Sequence, residues 1–195
     1  MPAEPAATPR RWQAPGVLAV ACVLAVLATL LVHGWRADLP AALLLAVAGV
    51  LLAAEDLASH RLPNAVLAPT AVALTLLLTV AALATGAWDG LLRAALAAVA
   101  SGLGYLVLAL LRPAGLGMGD IKLAAVLGAW LGWLGWGAVV LGALASFVLG
   151  GLAGLVLMVA GRATRTTAIA FGPWMLLGAA VASAVTVRLG PVVGL

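Results

Sequence analysis

The run LAAVLGAWLGWLGWGAVVLGALASFVLGGLAGLVLMVAG, Leu123–Gly161, holds 39 consecutive residues without an Asp, Glu, Lys or Arg. As one helix it would extend roughly 58 Å at about 1.5 Å per residue. That is nearly twice the about 30 Å of a bilayer's hydrocarbon core. It therefore reads as two membrane helices with a reversal between them. Trp130, Trp133 and Trp136 alternate with Gly132, Gly135 and Gly137 in its middle. Tryptophan favours the membrane interface and glycine permits the turn, so the reversal falls there.

Outward from this run, the charge-free stretches Trp12–Trp35, Leu39–Ala54, Leu62–Trp88, Ala94–Leu111 and Thr166–Val187 each read as one further helix. The expected limits are 16–33, 39–59, 65–86, 91–111, 120–134, 137–160 and 172–188. The fold class is all-α, a polytopic transmembrane bundle of about seven helices. Residues 1–14 read as a cytoplasmic tail and 15–195 as one membrane domain. The first span reads as an uncleaved anchor, because its apolar run is longer than a signal peptide's core of about 7–15 residues.

Composition excludes the other classes. Hydrophobic residues make up 66% of the chain and charged residues 8%, with a mean hydropathy of +1.24; soluble domains run near about 45–50% and about 25%. Cys22 is the single cysteine, so neither an internal disulfide nor a CxxC metal site can form. The net charge of +4 is scattered between apolar spans, which suits lipid headgroups and not nucleic acid. With the N-terminus inside, the inner segments carry Arg10, Arg11, Arg61, Arg112, Lys122, Arg162 and Arg165, and the outer ones Arg36, Arg93 and Arg188. That asymmetry predicts a cytoplasmic N-terminus in the plasma membrane. Gly102, Gly104, Gly150, Gly151 and Gly154 read as sites of close helix packing.

The acidic residues are few enough to take singly: Glu4, Asp38, Glu55, Asp56, Asp89 and Asp120. Asp38 and Asp89 read as solvated charges of outer loops, Asp38 also as the cap of the second helix before Leu39-Pro40. Glu55 and Asp56 fall in the last turns of helix 2, where the membrane border partly desolvates them. Pro63 is expected to end that helix and Asn64 to cap the next. Asp120 begins helix 5 after the Gly117-Met118-Gly119 loop. Lys122 stands out as the only lysine beside nine arginines. Two carboxylates on helix ends at one membrane face suit an aspartic protease, in which one carboxyl activates water and the other polarises a carbonyl. Helix-end electrostatics predicts the charge on Asp120, at a helix start, and the proton on Asp56, near a helix end.

Gly117-Met118-Gly119-Asp120-Ile121-Lys122-Leu123 resembles the Gly-x-Gly-Asp-x-Lys-Leu signature of type IV prepilin peptidases, intramembrane aspartic proteases. Asp56-Leu57 with Arg61-Leu62-Pro63-Asn64 resembles that family's first-aspartate motif. Ala170-Phe171-Gly172-Pro173 resembles its later PFGP-like segment, with Ala170 where proline is common. The resemblance covers about residues 40–190. It implies Asp56 and Asp120 as the catalytic pair, no metal or cofactor, and a prepilin or pseudopilin precursor as substrate, cleaved at the cytoplasmic face. It further implies that Pro63 and Asn64 shape a turn, that Gly117 and Gly119 let Asp120 approach its partner, and that Lys122 makes an interfacial or substrate contact. Glu55, about 100° around the helix from Asp56, should point elsewhere, and His60 reads as a solvated loop residue. Without the CxxC-bearing region of long members, the chain resembles the short form, a peptidase without N-methyltransferase activity. A presenilin-like protease would want a Tyr-Asp dipeptide and a Pro-Ala-Leu triplet, and neither occurs. The alternative from another class is a small proton-coupled transporter or secretion-system component with the same aspartates as a relay.

Overall fold

The computed structural model describes residues 14–111, 116–162, 164 and 170–190. Glu4, Arg10, Arg11, the Arg112-Pro113 helix stop and Arg165 lie outside them. The described residues form seven helices, α1 (Pro15–His33), α2 (Leu39–Ser59), α3 (Asn64–Thr85), α4 (Trp88–Leu111), α5 (Met118–Leu134), α6 (Trp136–Val159) and α7 (Gly172–Leu189). The long apolar run does split. The reversal is one residue, Gly135, at φ 144, a backbone setting open to glycine and strained for other residues. All helices but α5 are long and apolar enough to cross a membrane.

α5 is the shortest helix, with 17 residues, and lies at the centre of the bundle. Leu123, Ala124, Val126, Leu127, Gly128, Trp130, Leu131 and Gly132 are all buried. Its closest partner is α4, and α6 with α7 forms the next most extensive pair. Lipid tails are as apolar as leucine, so helices in a bilayer associate through close packing of small residues. A Cβ on Gly128 would lie 2.5 Å from Ser101 Oγ and 2.7 Å from the Ala97 carbonyl; one on Gly132 would lie 2.4 Å from Ala97 Cβ. Gly178 of α7 meets Ser146 and Gly142 of α6 in the same manner. Of the glycines expected to pack closely, a Cβ on Gly150 would lie 3.0 Å from Phe171 and one on Gly102 3.4 Å from Ala125, while Gly104 and Gly151 have open space around them. The outer faces of α1, α3, α4 and α6 carry exposed residues such as Val20, Leu76, Leu103 and Leu152, suited to lipid.

Asp38 departs from the sequence reading. It stands at the cap position of α2 but makes no side-chain cap bond, and it is buried. Its Oδ2 accepts from Trp133 Nε1 at 2.9 Å, its Oδ1 from Arg36 Nε at 3.1 Å, and His33 Nε2 lies 3.8 Å from Oδ1. Burial works against the charge, yet the His33, Arg36 and Trp133 groups outweigh it and hold this carboxyl well below the ordinary carboxylate range. The charge ties the α1–α2 turn to the end of α5. Arg93 of α4 closes the same end by donating to the Gly132 and Trp133 carbonyls at 2.7 and 3.0 Å, which α5 leaves unpaired at its C-terminus. Arg188 of α7 donates to the Leu31 carbonyl of α1. Asp89, by contrast, is exposed in the first turn of α4. The opposite end of the bundle gathers the end of α2 and the starts of α3, α5 and α7.

Candidate active site

α2 ends at Ser59, four residues before Pro63. His60 turns left-handed at φ 50 and its N–H donates to the Asp56 carbonyl at 2.8 Å. Pro63 is therefore not the helix stop; it is the capping residue of α3, and Asn64 is the first residue inside. This turn leaves Asp56 in the last turn of α2 with 4% exposure. Asp56 Oδ2 accepts the backbone N–H of Gly172, the first residue of α7, at 2.9 Å across 116 residues of sequence.

Asp120 is held in a parallel way. α5 begins two residues before it, so it occupies the third helical position and not the cap. There its Oδ2 reaches back to accept the Gly117 N–H at 2.8 Å, satisfying one of the free amides of a helix start. Gly119 is required by packing: a Cβ would lie 2.9 Å from Leu62 Cβ, so its bareness seats the start of α5 on the α2–α3 turn. Gly117 has only ordinary contacts there.

Lys122 reaches across to the start of α3. Its Nζ donates to Asn64 Oδ1 at 2.9 Å. Asn64 in turn does not cap α3, since no side-chain cap bond is made there. The pair clasps the first turn of α3 to the first turn of α5, and so one aspartate segment to the other.

Asp56 and Asp120 line one cavity of about 330 Å³, together with His60, Arg61, Asn64 and Lys122. Both carboxyls face the same space, and two carboxyls that share a site resist ionising together. His60, read from sequence as a solvated loop residue, lines this cavity while its backbone turns α2. Glu55 is exposed and does not line the cavity. The predicted order of ionisation loses its basis. It counted only the end of α2 at Asp56, whereas the start of α7 also meets that carboxyl, so each aspartate receives one amide from a helix start. Gly172 is the site residue whose role the sequence did not reveal; its motif was visible, but no spacing rule ties residue 172 to residue 56. Among the described residues, no three His, Cys, Asp or Glu side chains converge as a metal ion would need.

An all-helical bundle with two carboxyls in one cavity at one end defines a class: a polytopic membrane protein with a dicarboxyl site. Residues 43–182 match the type IV leader peptidase family, well over half of the chain, and the chain belongs to that family. It is accordingly a multi-pass membrane peptidase acting on a precursor protein. No curated protein and no solved structure gives a significant match.

The clasp makes a measurable claim. Asn64→Ala and Lys122→Ala should each lower the thermal stability of the detergent-solubilised protein by about 0.5–1.5 kcal/mol, the range of one hydrogen bond. The double variant should fall no further than the worse single, because the pair shares one bond. Additive losses would show that the two side chains act separately.

Proposed function

We propose that this chain is an intramembrane aspartic endopeptidase that removes the leader from type IV prepilin or pseudopilin-like precursors at the cytoplasmic face of the plasma membrane. The observation that carries this reading is the shared cavity: Asp56 and Asp120, 64 positions apart in the chain, open into one space with one oxygen of each carboxyl tied to a backbone amide. The second oxygen of each is left to water and peptide. One ionised carboxylate takes a proton from water as that water attacks the scissile carbonyl. The protonated partner donates to the carbonyl oxygen; as the C–N bond of the tetrahedral intermediate breaks, the first carboxyl passes its proton to the leaving amine and the intermediate's hydroxyl returns one to the second. A proton relay across the membrane would spread its carboxylates in depth, whereas these two meet at one end. The cytoplasmic orientation rests on the basic residues of the sequence: seven in the segments read as inner against three in those read as outer.

Co-expression with a candidate prepilin tests the pair. Asp56→Asn and Asp120→Asn should each abolish leader removal while the protein still inserts. The double variant should be no worse than either single, since the two act as a unit. Glu55→Gln should cleave normally. Substantial cleavage by Asp120→Asn would remove the aspartic-protease reading, and loss in Glu55→Gln with survival of Asp56→Asn would move the site to the neighbouring residue.

Thiol labelling tests the orientation. With Cys22 replaced, Ser59→Cys, exposed at the cavity end, should react with a membrane-impermeant maleimide only from the cytoplasmic side. Labelling of intact cells from outside would invert the topology.

A further inference from the structure

We propose that Gly172 is a positioning residue for Asp56, acting through its N–H and through its lack of a side chain; this rests on the reading of Asp56 as catalytic. A buried carboxyl needs a hydrogen-bond donor, and the one it receives comes from α7. In the first turn of that helix, Pro173 has no N–H to give, and the Trp174 and Met175 amides both bond to the Phe171 carbonyl at 3.1 and 3.2 Å. Gly172 N–H is the donor left over, and it fixes Asp56 Oδ2 at 2.9 Å.

The absent side chain matters as much. A Cβ on Gly172 would lie 2.8 Å from Asp56 Oδ2, 3.2 Å from its Cγ and 3.5 Å from its Cβ, and these are its three nearest neighbours. Gly172 is not among the positive-φ glycines, so the backbone conformation does not demand glycine. Asp56 does. The start of α7 is itself fixed: the Phe171 ring packs against Phe147 of α6 and Tyr105 of α4 with centroids 5.4 and 6.3 Å apart. Asp56 therefore takes its orientation from a helix anchored by α4 and α6.

The test combines kinetics with a stability cycle on the full-length protein in detergent. Gly172→Ala should lower kcat for leader cleavage about 100-fold, the loss that a displacement of about 1 Å brings to a reacting group, with KM changed less than about threefold. It should also lower Tm. In an Asp56→Ala background, where Oδ2 and Cγ are gone, adding Gly172→Ala should leave Tm unchanged. If Gly172→Ala alone fails to fold, recovery of a folded double variant gives the same answer. Normal kcat in Gly172→Ala, an equal Tm loss in both backgrounds, or a double variant that also fails to fold would overturn the proposal. Failure of the underlying reading appears elsewhere, as normal cleavage by Asp56→Asn, and leaves the stability cycle standing.

Discussion

A carboxyl group buried at the end of a membrane helix needs a donor from within the protein for the oxygen it turns toward the packed helices. For Asp56 that partner is the backbone N–H of Gly172. The bond requires α7 to start beside the end of α2. It also requires the aromatic contacts among Tyr105, Phe147 and Phe171 to hold that start in place, and α5 to lie close enough to bring Asp120 to the same cavity. The catalytic role proposed for the pair depends on this convergence of three helix ends more than on either aspartate alone.

The convergence is made possible by small residues. α5 is short, central and lined on its α4 side by Gly128 and Gly132, which fit against Ala97 and Ser101. Hydrophobicity drives insertion but does not draw helices together inside lipid, so this fit, with that of Gly178 on Ser146, sets how near the helices come. At the far end, the buried Asp38 charge with Arg36 and Trp133, and the Arg93 cap on α5, fix the same helices from the other side. The bundle is thus pinned by polar contacts at both ends and by packing between them.

Much of this was legible in the residues. Charge-free runs and bilayer thickness located every helix within three residues of its limits, and the 39-residue run forced the α5–α6 hairpin that Gly135 makes. The motif around Asp120 and that around Asp56 pointed to one site, and the structure brings both to one cavity. What the sequence hid were contacts between remote positions. Asp38 looked like a loop charge because nothing local announces Trp133 as its partner. Lys122 was conspicuous as the only lysine, but its bond to Asn64 joins positions 58 residues apart. The tight glycines could not be told from the slack ones, since Gly104 and Gly128 occupy similar apolar surroundings and differ only in what faces them. Helix-end electrostatics counted α2 and α5 at this site but not α7, whose start also meets Asp56.

The central claim is that the two aspartates work as one unit with a single proton between them. The measurement that tests it most directly is the pH dependence of kcat/KM for leader removal by the wild-type protein in detergent. A coupled pair that needs one carboxyl charged and one protonated gives a bell-shaped profile whose two limbs belong to the pair. The account predicts that bell. A profile with a single limb, rising once to a plateau, would mean that one ionisation suffices, and would contradict the shared-proton mechanism.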